Sequence, residues 1–287
     1  MRTQQSVASK RCCIVVANDQ RGVRLSGALL QCAPSARPAP AVTQGFLRLA
    51  ARRATRLASP INVLVCAQDA DRHIWERPFW FTRPVNRFIS DPGTPTSLST
   101  AGAALSIATK DPSCLIAILP SDFWVARESV LMDAIEKAFT QMRVMPESVA
   151  TLGMIDSHQE NHEDYLVVGP IHAQKGAVIQ ARVNRPEARL AKQLITEGAM
   201  VASGILLGYA QAFAARISKY WPHIAQQLLG SMESECLPAA ERKFSTSAYQ
   251  QIPRSAMNSM RLSPPTFPMR AFRVQGSGWC SRKVSEL

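Results

Sequence analysis

The stretch C114-LIAILPSDFW-124 decides the fold. Six apolar residues run without alternation and stop at Pro120-Ser121-Asp122. Such a run, short and bounded by turn residues, is that of a strand buried on both faces, as in a parallel sheet covered by helices. A carboxylate at the end of a central strand has three readings. Asp122 is a turn residue, a helix cap, or a ligand for a metal ion over the crevice where α/β sheets bind ligands.

Working outward, strands and helices alternate. CCIVVA (12–17) reads as a first strand, followed by the Gly- and Arg-bearing NDQRGVRL and a Pro-rich segment. TQGFLRLAARRATRLA (43–58) has apolar residues at helical spacing, and INVLVCA (61–67) reads as a strand. NRFIS (86–90) is a further strand, and TSLSTAGAALSIATK (96–110) is a helix of small residues with Thr94 or Thr96 as its cap. A helix from Glu128 to about Arg143 follows the opening stretch, then strands at SVATLGMI, DYLVVG and GAVIQARVNR, with the polar loop DSHQENHE between the first two. PEARLAKQLITEG is a helix with Pro in its first turn; VASGILLGY is a strand, one or two helices follow, and AFRV is a last short strand. This order predicts an α/β fold with a mostly parallel, Rossmann-like sheet and helices on both faces.

Among 287 residues, 46% are apolar and 19% charged, which excludes a disordered chain. The net charge of +12 is uneven. Residues 1–60 hold ten Lys/Arg and one acid, residues 61–241 fifteen and nineteen, and residues 242–287 eight and one. Two basic ends around an acidic middle point to an anionic partner or to ordinary solvated surface. Seven cysteines, at 12, 13, 32, 66, 114, 236 and 280, form no metal-ligand spacing and read as reduced thiols of a cytoplasmic protein. Met1–Lys10 is polar and CCIVVA is too short for a signal-peptide core. The uncharged 198–215 reaches the lower limit of a membrane span, but a strand running into a helix accounts for it better.

Taken together, ILPSD, the Gly93-Thr94-Pro95-Thr96 segment before a small-residue helix, NRPEARLAKQLITEG and VASGILL resemble the sugar-1-phosphate nucleotidyltransferases. The closest branch is the mannose-1-phosphate guanylyltransferases, with the likeness strongest over residues 86–230. The resemblance implies one nucleotidyltransferase-type domain over 11–243, an N-terminal extension (1–10), and a Pro/Ser-rich segment (244–287) packing back on it. It also implies transfer of a nucleoside monophosphate from GTP to a hexose 1-phosphate with Mg²⁺. By the same resemblance Gly22, Gly93 and Thr94 bind the nucleotide, Arg24 and Arg185 supply catalytic charge, Tyr165 and Ser203 meet the sugar phosphate, and Asp122 holds the metal. Several motifs depart from the family. Asn18-Asp19 replace two glycines of the phosphate loop, and Arg37 is the nearest cation to the place of a missing phosphate-binding Lys. Asn184-Arg185 replace Glu-Lys, Leu166 replaces the Gly after Tyr165, and Ala202 replaces an Asn. In GWCSRKV, Trp279 is present but no second metal-binding Asp follows. The competing reading is a non-catalytic protein of the same fold that regulates, or binds nucleotide or nucleic acid.

Two further patterns bear on function. His158 and His162 lie four apart in a polar loop, where helical facing does not apply, and read as solvated. Arg48, Arg52 and Arg56, with Arg53 beside them, form a basic stripe on a helix lacking any acid, near the aromatic WERPFWF (75–81). That stripe favours an anionic partner, while the aromatics are ordinarily core.

Overall fold

Leu115–Pro120 forms strand β4, and all of it except Pro120 is buried. The computed structural model describes residues 10–17, 40–91, 94, 96–155, 164–234, 241–244, 269–275 and 279–281. Beside β4 lies β1 (Arg11–Val16), followed outward by β2 (Val63–Gln68), β3 (Arg87–Ser90) and β10 (Arg242–Phe244), all parallel. Alternate residues of these strands enter two separate cores. Cys13, Val15, Val65 and Leu119 meet α1 (Pro40–Leu57) and α4 (Glu128–Met142). Cys12, Ile14, Cys66 and Ile118 meet α3 (Thr96–Lys110), α6 (Ala210–Tyr220) and α7 (Pro222–Ser234). Burial on both faces is why the strands read as unbroken apolar runs. Cys12, Cys13, Cys66 and Cys114 are free and buried among them, and burial pushes the Cys66 thiol up to about 12.

The other half of the sheet contains β6 (Val149–Met154), β7 (Tyr165–Val168), β8 (Ala177–Val183), β9 (Met200–Tyr209) and β11 (Met269–Val274), with α5 (Ala188–Thr196) between β8 and β9. Here β9 is antiparallel to both β4 and β6, β11 is parallel to β6, and β7–β8 is a hairpin. The parallel sheet expected from the sequence therefore forms the first half, and the whole ten-stranded sheet is mixed. The β7–β8 connection is too short for the crossover that a parallel pair requires. Because β7 also pairs with β9, the ring β9-β6-β11-β8-β7 closes on itself. No helix among the described residues is long and apolar enough to cross a membrane, and 198–215 is the end of β9's approach, β9 itself and the start of α6.

Arg72 and Arg87 fasten β10 to the sheet. Arg72, in the short α2 (Arg72–Trp75), donates to both oxygens of Glu241 at 3.0 and 2.6 Å, and Arg87 adds a bond of 3.1 Å. Both guanidiniums lie over the Trp75 ring, at 5.3 and 5.9 Å. Phe244 then stacks on Phe88 with ring centres 6.0 Å apart, under Gly102 of α3. A Cβ at Gly102 would lie 2.8 Å from Phe244 Cζ, so this approach requires glycine.

The hydrogen bonds from Arg72 hold the Glu241 carboxyl below its ordinary value, with Arg87 assisting. A depressed folded-state pKa contributes stability above the unfolded value near 4.5 and loses it as pH falls through the folded value. Glu241→Gln is expected to lower the melting temperature at neutral pH and to flatten the fall in stability with acid below about pH 4.5, measured by thermal unfolding across pH. An unchanged acid limb would show that the pairing contributes nothing.

Candidate functional site

After β1 the chain adds β2 and β3 on one side, then crosses to place β4 on the other. The β1/β4 boundary is thus the point where strand order reverses, the place where open α/β sheets form a crevice beyond their carboxyl ends. The two ends are tied together: Ser121 N–H donates to Val16 O at 3.1 Å, and Ala17 N–H to Cys66 O at 2.9 Å. Asp122 follows at once, half-buried.

The same point is where β9 leaves β4. Their ladder runs from Leu115↔Tyr209 to Ile118↔Leu206. Two residues on, Pro120 has no N–H for a ladder, and Gly204 takes φ +75°, a left-handed conformation that favours glycine. A Cβ there would lie 3.3 Å from Pro120 Cγ. Beyond the bend β9 pairs with β7 instead. On its β6 side, Ser203, Gly204 and Ile205 lie opposite Leu152 alone, a bulge. Ser203 Oγ–H donates to Leu152 O at 2.7 Å and accepts from Ile205 N–H at 3.1 Å, while Thr151 Oγ1–H donates to Ile205 O at 2.8 Å. The Ser203 hydroxyl therefore shapes the bulge.

The segment after Asp122 is held from both sides. Phe123–Val125 forms β5, antiparallel to β12 (Trp279–Ser281), with Ser281 in register with Phe123. Trp279–Ser281 of GWCSRKV thus pair with the strand that follows Asp122. From α1, Arg53 is 2% exposed. It donates from Nε and Nη2 to Glu128 at 3.0 and 2.5 Å and from Nη1 to Phe123 O at 3.2 Å, with its guanidinium 4.2 Å from the Phe123 ring centre. The sequence pattern set Arg53 beside a solvent-facing stripe. Its neighbours Leu47, Ala50, Ala54 and Leu57 are the buried face, and Arg53 belongs with them.

Other expected residues fall along the same edge. Thr94, beyond β3, is buried; its N–H donates to Asp91 O at 3.0 Å, and its carbonyl accepts from Gln68 Nε2 at 3.5 Å. Tyr165, at the start of β7, is buried between its partners Val183 and Val201. Arg185, just beyond β8, is exposed with φ +41°, a strained backbone for a side-chain-bearing residue. Gly22, Arg24, Gly93, Arg37 and the His158/His162 pair lie outside the described residues. Sequence reasoning missed Arg273 of β11, which with Met154, Ile195, Ala199 and Val201 lines a cavity of about 220 Å³ at this edge. A cation on a strand so far along the chain carries no local signal.

The described residues contain no group of three His, Cys, Asp or Glu suited to a metal ion. Of the adjoining Ser121 and Asp122, the Asp122 carboxylate is a donor of the kind Mg²⁺ takes, an ion bound through one or two carboxylates when phosphates and water complete its shell.

No protein-family model matches the sequence, and no curated protein matches it. Among solved structures, the chain is similar to mannose-1-phosphate geranyltransferase from Thermus thermophilus, with 18% identity, a TM-score of 0.69, and coverage of 94% of this chain and 76% of that one. It is also similar to mannose-6-phosphate isomerase from Helicobacter pylori, with 12% identity, a TM-score of 0.66, and coverage of 94% and 100%. At these identities the likeness is one of fold: the α/β architecture expected from the sequence is theirs.

Two variants test the frame of this edge. Arg53→Ala leaves Glu128 without its partner and is expected to cost about 3 kcal/mol, with the loss recovered in part by Arg53→Lys. Gly204→Ala forces a Cβ against Pro120 in a left-handed backbone and is expected to cost about 1–2 kcal/mol. Denaturant unfolding measures both. A change below about 0.5 kcal/mol in either would remove that residue from the frame.

Proposed function

We propose that this chain is a sugar-1-phosphate nucleotidyltransferase-like protein of the mannose-1-phosphate guanylyltransferase type, which binds a Mg²⁺–nucleoside triphosphate beyond β1 and β4 with weakened transfer activity. The observation that carries this reading is the position of Asp122. It ends the central parallel strand at the switch point, where β9 bends away, and β12 is laid beside it. The names of both similar structures concern mannose phosphates, which supports a sugar phosphate as the second substrate.

In this reading the hexose 1-phosphate oxygen forms a bond to the α-phosphorus while the α–β anhydride bond breaks, and pyrophosphate leaves with the electron pair. Mg²⁺ on the triphosphate would neutralise the developing charge, held by Asp122. The chain's own residues position the reactants. Gly22, Gly93 and Thr94 line the nucleotide, with Arg24 on its phosphates. Arg185 and Arg273 attract the sugar phosphate beside Tyr165 and the Ser203 bulge. Arg in place of Lys at 185 still pairs with phosphate, but as a planar fork.

Weakening follows from the charges. No carboxylate follows Trp279 in GWCSRKV, and Asp19 brings a negative charge to the expected phosphate loop. A single charge-stabilising group is worth about 3 kcal/mol at the transition state, so the loss of several cuts turnover more than binding. That balance favours nucleotide binding over transfer and keeps the non-catalytic reading as the alternative.

The test is titration of GTP, and of the other nucleoside triphosphates, into the protein by calorimetry with and without Mg²⁺. Mg²⁺-dependent binding that is lost in Asp122→Ala is expected, with pyrophosphate release from GTP and mannose 1-phosphate slow but above background. No heat with any nucleotide would overturn the proposal. Binding with no pyrophosphate released would establish the non-catalytic alternative.

A further inference from the structure

Some of the described arginines are committed to ion pairs and others are not. Arg11, Arg53, Arg72, Arg87 and Arg182 each form an ion pair with a carboxylate. Arg48, Arg52, Arg56, Arg77 and Arg83 are exposed and form none among the described residues. These five lie on α1 and the loop after α2, while Arg127, Arg143, Arg185, Arg189 and Arg273 are exposed on other elements. Arg48, Arg52 and Arg56 stand four apart along the solvent side of α1, about 6 Å per step. Arg77 and Arg83 flank the loop after α2, which packs with α1 on one face of the sheet, where Trp75 and Phe79 join Leu47, Ala54 and Leu57 in a single core.

An aromatic platform rises from that loop. Trp80 is 78% exposed, more than any other large apolar side chain described. Phe81 holds it edge-on, with ring centres 6.4 Å apart and planes at 89°. Ile61, just past α1, is also exposed, and its carbonyl accepts from Asn86 Nδ2 at 2.9 Å, which joins the end of α1 to the Arg83 loop. Asn86 Nδ2 also donates to Val63 O at 3.2 Å, so the Arg83 end of this surface adjoins the amino end of β2.

We infer that this surface binds single-stranded nucleic acid, the arginines of α1 and the 77–83 loop taking phosphates and Trp80 stacking on a base. Five cations, three of them on a helix without any acid, suit a polyphosphate chain, and guanidinium forks suit phosphate oxygens. A membrane surface is a poorer fit, because a helix that lies in a bilayer needs an apolar face to insert. The apolar face of α1 is already buried in the core. Duplex nucleic acid is a poorer fit too, because its bases are stacked within the helix and offer Trp80 no free face.

The experiment is fluorescence anisotropy of a labelled oligo-dT with the full chain over a salt series. Duplex DNA of equal length and phosphatidylserine vesicles serve as competitors. Binding is expected to weaken with salt at a log–log slope of about −3.5 for five neutralised phosphates. Arg48→Gln/Arg52→Gln/Arg56→Gln is expected to flatten that slope by about 2, and Trp80→Ala to weaken binding about tenfold with the slope unchanged. Arg189→Gln, a control on α5, is expected to leave both intact. The inference is overturned if no oligonucleotide is retained at low salt, if vesicles or duplex displace it at lower concentration than single strand does, or if the triple variant binds as the parent does. An effect of Trp80→Phe equal to that of Trp80→Ala would also overturn the stacking role.

Discussion

The parting of β4 from β9 at Pro120 and Gly204 is the constraint on which the candidate site depends. Up to Ile118 the two strands are paired and buried, and the sheet there is an unbroken wall. Beyond it, a proline without an N–H faces a glycine in a left-handed backbone, and β9 turns to β7. A continuous ladder would have sealed the carboxyl end of β4. The bend opens that end and closes the second half of the sheet into a ring, so Asp122 lies between a parallel half and an antiparallel one. The Ser203 bulge on the other flank of β9 accommodates the turn with hydrogen bonds rather than unpaired backbone groups.

Charge is divided between structure and surface. Where an arginine is sequestered it holds an element in place: Arg53 fixes β5 and the start of α4, and Arg72 with Arg87 fixes β10. Breaking such pairs strands a carboxylate in a partly dry setting, a larger loss than an exposed pair would give. Other exposed arginines hold nothing in place: Arg48, Arg52 and Arg56 line the outer side of α1, and Arg77 and Arg83 the loop after α2. The charge excess of the N-terminal 60 residues is therefore partly structural and partly a free field.

Much of this was legible in the sequence. The longer elements follow from apolar runs and helical spacing, and 96–110 is a helix to the residue, whereas the short α2, β5 and β10 carry no such signal. Strand direction in the second half was not legible, because it depends on which partners the β7–β8 hairpin and β11 find across the chain. Nor was the inward turn of Arg53: it adjoins the stripe in sequence, and its partners Glu128 and Phe123 lie 70 or more residues away. Of the candidate site, Asp122, Thr94, Tyr165, Arg185 and Ser203 do share one edge. The role of Ser203 in a bulge, and the presence of Arg273, follow from pairings that no local motif encodes.

The central claim is that ligand binds where β1 and β4 end. Hydrogen–deuterium exchange of the full chain, with and without GTP and Mg²⁺, tests it directly. Protection is predicted at 120–125 and 279–281, with exchange along α1 at 48–56 unchanged. Protection confined to α1 and the 77–83 loop, or none at the β4 end, would contradict the account.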